Sequence, residues 1–151
     1  MDPDVLGRYH PSLSALLGDW RIERRIADHA LGVSGTFAGL ASWVASADGL
    51  AYTETGELSF NGHRGPASRS LLYRGRPDGT ADVLFADGRY FYHLDPRPGR
   101  WQARHDCGRD VYELSARRLG AGALEEHWRV HGPGKDYEIM TTLVRDEEDT
   151  G

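Results

Sequence analysis

From Asp19 to Arg145 the side chains alternate between apolar and polar with a period of two, and turn signals interrupt the alternation at short intervals. Trp20, Ile22, Arg24 and Ile26 share one face of the first such segment, with Arg21, Glu23 and Arg25 on the other. Period two is the spacing of a half-buried strand, whose successive side chains point to opposite sides. Asp48-Gly49, Asn61-Gly62 and Asp87-Gly88 are hairpin dipeptides, and Pro77-Asp78-Gly79, Asp95-Pro96-Arg97-Pro98-Gly99 and Gly132-Pro133-Gly134 are further turns or loops. The 19 glycines fit a chain with many tight turns. Counting runs between turns gives about ten strands and no helical crossover, so an antiparallel meander is the simplest topology. Closing it into an up-and-down β-barrel removes exposed edges and leaves a lumen.

A short helix is expected over residues 12–17. Ser12 caps it, Leu13, Leu16 and Leu17 follow helical spacing, and Gly18 ends it. Such a helix covers one end of a barrel spanning residues 19–145 within a single domain, 1–151. Residues 1–10 are expected to be loose, and the acidic tail 146–151 disordered.

With 151 residues the chain can bury one good core. Its net charge of −5 argues against nucleic acid and anionic membrane surfaces as partners. No apolar run reaches the roughly 20 residues that span a bilayer, and Met1-Asp2-Pro3-Asp4 lacks the pattern of a secretory signal. One cysteine cannot form an internal disulfide. Together these suggest a cytoplasmic protein whose partner is a small molecule; a homodimer is left open.

Parity puts three charges inside. Arg24 faces inward with Trp20 and Ile22, Glu54 with Tyr52, Gly56 and Leu58, and Arg69 with Leu71 and Tyr73. Lone buried charges are costly, so these groups either pair with one another across strands or meet a ligand. In the second case the arginines would hold a carboxylate or another oxyanion, and Glu54 would be a general acid or base. Tyr52 and Tyr73 then line the ligand site.

A second constellation lies in Trp101-Gln102-Ala103-Arg104-His105-Asp106-Cys107-Gly108-Arg109-Asp110-Val111-Tyr112. Trp101, Ala103, His105 and Cys107 share one face of strand 100–107. A turn at Gly108 swings Asp110, Tyr112 and Leu114 of strand 109–117 onto it. His105 with Asp110 as its orienting carboxylate and Tyr112 as a hydrogen-bond donor is a candidate acid–base set; the alternative is a hydrogen-bond cluster at a barrel end. Cys107 reads as a buried thiol rather than a nucleophile. Side chains two apart on a strand are about 7 Å from each other, beyond hydrogen-bond reach of His105. His93 lies on a strand whose inner face parity leaves undecided. Lys135 and Tyr137 follow the last hairpin, near a rim. No paired metal-ligand spacing appears, and no cofactor or metal is implied.

Gly18-Asp19-Trp20 resembles the Gly-x-Trp signature of lipocalins, in which an arginine near the end of the last strand packs on the tryptophan; Arg145 is the matching residue. A wider likeness runs along most of the chain, to an uncharacterised bacterial family of calycin-like domains of unknown function. The residues that carry it are Trp20-x-Ile22-x-Arg24-x-Ile26, Tyr52-x-Glu54-x-Gly56-x-Leu58, Phe85-x-Asp87-Gly88-Arg89-x-Phe91, His105-x-Cys107-x-x-Asp110-x-Tyr112 and Val130-x-Gly132-Pro133-x-Lys135-Asp136-Tyr137. The resemblance implies a calycin-like, lipocalin-like barrel and brings no settled activity.

The reading is an all-β barrel that binds a small polar or anionic molecule in its lumen. Acid–base chemistry on that molecule, of isomerase, cyclase, hydratase or decarboxylase type, is the favoured activity. A non-catalytic carrier or sensor is the alternative, and a haem-binding barrel with His93 or His105 at its mouth is the second.

Overall fold

The computed structural model describes residues 11–146. One short helix, α1 (Pro11–Ser14), precedes ten strands: β1 (Gly18–Asp28), β2 (Val33–Ser46), β3 (Gly49–Phe60), β4 (His63–Gly75), β5 (Ala81–Phe85), β6 (Tyr90–Leu94), β7 (Arg100–Cys107), β8 (Asp110–Arg118), β9 (Ala123–Gly132) and β10 (Lys135–Arg145). They form one antiparallel sheet in the order β6-β5-β4-β3-β2-β1-β10-β9-β8-β7. Every chain neighbour pairs except β6 and β7, while β1 pairs with both β2 and β10, so the sheet curls into a barrel open along one seam. The expected calycin-like, all-β architecture is therefore present. No helix among the described residues is long and apolar enough to cross a membrane.

The turns follow their sequence chemistry. Asn61 (φ 50°) and Gly62 (φ 82°) take the left-handed conformation that a two-residue hairpin demands. Gly39 of β2 stands directly opposite Gly56 of β3. A Cβ on Gly39 would lie 2.0 Å from the Thr55 carbonyl oxygen, so the two backbones approach where no side chain fits.

One end of the barrel is sealed. Leu13 and Leu16 are buried against Trp20, Trp43, Leu50 and Leu143 in the hydrophobic core. The Trp20 indole N–H donates to the Leu16 carbonyl at 2.9 Å. Arg145 lies 4.2 Å over the Trp20 ring and donates to the carbonyls of Leu17 (2.8 Å) and Ala15 (2.7 Å). The Gly-x-Trp and arginine elements thus meet as their resemblance implied. The helix is shorter than the expected 12–17, because the chain leaves it in a turn after Ser14, yet the leucines still plug the end.

One facing that parity leaves undecided, that of the candidate ligand residue His93, is now visible, and one expectation, the burial of Cys107, needs correction. In β6, a register shift between Val83 and Leu84 pairs Val83 with Tyr92 and Leu84 with Tyr90, leaving Phe91 as a bulge residue without a ladder partner. Parity breaks there: Phe91, Tyr92 and Leu94 are all buried, and His93 points outward to Asp82, with Nδ1 3.0 Å from Oδ1. His93 therefore does not face the lumen. Cys107, expected to be buried, is an exposed free thiol at the last residue of β7. The predicted acidic tail and loose N-terminus lie outside the described residues, save Asp146.

Candidate functional site

The inward charges converge midway along the lumen. Arg24 donates from both terminal nitrogens to Glu54, at 2.6 Å and 3.1 Å, and its Nε donates to the Thr141 hydroxyl at 3.0 Å. Tyr52 donates its phenol to the second Glu54 oxygen, and Arg69 Nε stands 3.4 Å from the first. Glu54 is only 3 % exposed. Burial alone would raise its pKa; the Arg24 hydrogen bonds, the charges of Arg69 and Arg24 and the Tyr52 phenol outweigh it and hold the carboxyl below its ordinary value. A carboxylate so held is a poor proton acceptor. Tyr52 is pushed far up, first by burial and then by the Glu54 charge, so it stays protonated as a donor.

Sequence reasoning missed Glu126 as a site residue. It sits on β9 in register with Thr141 of β10, which is itself opposite Arg24 of β1. The signal was available: Glu126 alternates in phase with the buried Leu124, Trp128 and Val130. Burial raises its pKa, the charges of Arg69 and Arg24 offset part of that, and the Glu54 charge adds to it. The net direction is upward. Arg24 and Arg69 share the Glu54 carboxylate unequally. Arg24 spends both ends on Glu54, whereas Arg69 touches Glu54 through Nε alone and keeps 43 % of its side-chain surface accessible. Arg69 is therefore the less engaged of the two arginines.

Arg69 and Glu126 border a space of about 10 Å³, lined also by Tyr52, Leu71 and Tyr73 of β3 and β4 and by Phe91, Tyr92 and Trp128 of β6 and β9. That is room for about one water. The aromatic side is a stack. Phe91 lies between Phe85 (centroids 4.4 Å apart, planes 20° apart) and Trp128 (5.2 Å, 6°), with His105 edge-on at 5.3 Å. Tyr73 and Tyr92 are held protonated by burial.

The second constellation splits in two at the hairpin end of the barrel. The turn at Gly108 pairs His105 with Tyr112 and Cys107 with Asp110, as the sequence suggested. His105, however, has aromatic company: Phe85, Phe91 and, at 5.7 Å, Tyr112. Asp110 gives its carboxylate to Lys135, 3.1 Å away, rather than to His105, because Lys135 enters from β10 just above it. Lys135 also donates to the Tyr112 phenol at 3.4 Å. Beside them Tyr137 is pushed up to about 12 by burial and by its hydrogen bond with Tyr112. Asp110, Tyr112, Lys135 and Tyr137 thus make a rim cluster, distinct from the Arg24–Glu54–Arg69–Glu126 centre.

A larger concavity, about 930 Å³, lies elsewhere. It is lined by one inward row (Phe37, Arg24, Thr141, Glu126, Ala116, Trp101) and by the outward residues on either side of each, such as Glu23, Arg25, Met140 and Thr142. Inward neighbours two positions away, Ile22, Leu114 and Trp128 among them, do not line it. A groove floored by backbone and walled by outward side chains belongs to the outer wall. It does not hold the chemistry of the lumen.

Comparison with known proteins agrees with this architecture. The model of a family of unknown function, DUF6314, matches residues 16–145. No curated protein matches the sequence. Among solved structures, the S-type phycobiliprotein lyase CPES from Guillardia theta superposes with a TM-score of 0.65 at 13 % identity, covering 91 % of this chain and 92 % of that one. A de novo designed fluorescence-activating β-barrel gives 0.45 at 10 % identity, over 91 % of this chain and 99 % of that one. A protein of unknown function from the DUF3598 family of Nostoc punctiforme gives 0.45 at 11 %, over 89 % of this chain and 49 % of that one. At such identities the likeness to the lyase is one of fold.

Proposed function

We propose, for a chain that belongs to the DUF6314 family of unknown function, that the barrel binds a small organic anion in its lumen, with the acid group of the ligand on Arg69. The observation that carries this is the unequal sharing of Glu54: Arg24 takes both its oxygens and Arg69 only one, through a single nitrogen. A guanidinium has five donors in a planar fork. Arg69 therefore keeps the forked face that recognises carboxylates. Glu126, whose pKa burial shifts upward, borders the same void and in its protonated form is a second donor there.

Acid–base chemistry follows from that pairing. A carboxylic acid that is protonated beside a bound anion can act as a general acid, and burial shifts Glu126 in the direction that favours that form. Glu54 anchors the arginines, and Glu126 replaces it as the proton carrier. Proton delivery suits isomerisation, hydration or decarboxylation. The fold likeness to a lyase is compatible with an enzyme on this barrel.

The test is NMR titration of the Arg69 side-chain Nε–H signal with acetate, cyclohexanecarboxylate and benzoate. A saturable shift with at least one of them is expected, together with loss of that carboxylate's binding, measured by calorimetry, in Arg69→Met. No shift with any carboxylate at millimolar concentration would overturn the reading.

A further inference from the structure

The polar groups of the lumen converge on a space that holds about one water. Arg69 is partly accessible, but an organic ligand that is to enter the space it shares with Tyr52, Tyr73 and Glu126 must displace a side chain. The walls differ in how firmly they are held. Tyr52 and Tyr73 stand on β3 and β4, and Trp128 on β9, each in a strand laddered on both sides. Phe91 is different on two counts. It is the bulge residue of β6, without a partner in the β5 ladder, and β6 is an end strand of the sheet, facing the unpaired seam with β7. Its ring is kept in place by contacts of its face and edge with other rings, and no ladder partner fixes its backbone.

The geometry points to Phe91 as a displaceable aromatic lid, and to a flat aromatic or conjugated carboxylate as the class of ligand that takes its place. This rests on the anion reading of Arg69 and deepens it. The space that the Phe91 ring fills is one ring thick. Phe85 lies on one face with planes 20° apart, Trp128 on the other with planes 6° apart, and His105 meets the edge at 88°. Stacked faces favour a planar π system over a puckered ring of similar size. A planar acid seated there regains the stacking that Phe91 gives up. The void borders on both Phe91 and Arg69, so the acid group of such a ligand is turned toward the guanidinium. The ring identifies the ligand by thickness and the guanidinium by charge.

The experiment uses the full chain and its Phe91→Ala variant, titrated by calorimetry with benzoate and with cyclohexanecarboxylate. Removing the lid frees the slot in advance. Benzoate is expected to bind Phe91→Ala at least about tenfold more tightly than the wild type, the penalty for populating a minor open state having been removed. Cyclohexanecarboxylate is expected to gain less. Equal gains for the two acids would overturn the planar slot. No gain for benzoate, with its dependence on Arg69 intact, would overturn the lid and leave the anion reading standing. Unchanged benzoate binding in Phe91→Ala/Arg69→Met would overturn the anion reading itself. Should Phe91→Ala fail to fold, the wild type decides: saturation with benzoate must move the Phe91 ring resonances away from their Trp128-shielded positions, and unmoved resonances in the saturated protein sink the lid.

Discussion

Arg24 reaches Glu54 across an intervening strand. Arg24 is opposite Phe37 on β2 and Glu54 is opposite Ala41 on the same strand, so the guanidinium crosses β2 at Gly39, the residue between them. Gly39 faces Gly56, and neither offers a side chain to block the path. An ion pair buried this way is costly to break, because the survivor has no water to turn to. Glu54→Ala should cost about 3–5 kcal/mol in urea unfolding. The paired replacement Arg24→Met/Glu54→Leu should cost much less than the sum of the two single changes, since an apolar pair leaves no orphan charge. Additive losses in the double-mutant cycle would contradict the coupling.

Gly39 is indispensable for a second reason. A methyl group there meets the Thr55 carbonyl oxygen at 2.0 Å, which is backbone and cannot swing aside. Gly39→Ala should destabilise by about 1–3 kcal/mol, the usual range for overpacking. It should also weaken hydrogen-exchange protection along β2 and β3 specifically. An alanine variant as stable as the parent would mean that the two strands are not so closely apposed.

The carboxyls of Glu54 and Glu126 respond to pH with opposite signs. The folded pKa of Glu54 is lowered, so its contribution is present above its unfolded value of about 4.5 and is lost as pH falls through the folded pKa. The folded pKa of Glu126 is raised, so its contribution is full below the unfolded value and is lost as pH rises through the folded one. Glu126→Gln should therefore gain stability relative to the wild type as pH is taken from about 5 to about 9. Urea midpoints across that range check it; a constant difference would mean that Glu126 is ionised throughout.

Arg145 closes the sealed end by stacking on Trp20 and by donating to the carbonyls of Ala15 and Leu17. Arg145→Ala should lose about 2 kcal/mol, combining a cation–π contact with hydrogen bonds to a charged group. Hydrogen exchange should rise at the Ala15, Leu16 and Leu17 amides, just after α1, before it rises in the strands.

Cys107, exposed at the hairpin end, should react with a disulfide reagent in the native protein within about tenfold of its unfolded rate, as an accessible thiol with ordinary chemistry does. Protection by orders of magnitude would place the thiol inside.

Parity makes much of this legible. Period two identifies Arg24, Glu54 and Arg69 as inward residues, and the glycine turns mark nearly every hairpin. What it cannot show is who pairs with whom across the ring, since register and shear are not written in any single strand. Glu126 alternates in phase with its buried neighbours, and its role emerges only where β9 meets β1 through Thr141. Closeness in sequence assigns Asp110 to His105, whereas Lys135 reaches it from another strand. A bulge resets the alternation without altering composition, so the inward turn of Phe91 and the outward turn of His93 leave no trace in the letters.

The unladdered line between β6 and β7 has a further meaning for how the chain is threaded. Its first and last strands are hydrogen-bonded neighbours from Trp20↔Arg145 to Asp28↔Tyr137, so the start of β1 and the end of β10 lie side by side. The connection at 95–99, by contrast, bridges two strands with no ladder between them. A linker from the end of β10 to the start of α1, with a cut within 95–99, would give a circular permutant whose new termini sever none of the nine strand pairings. This ring can be unclasped there with the least loss.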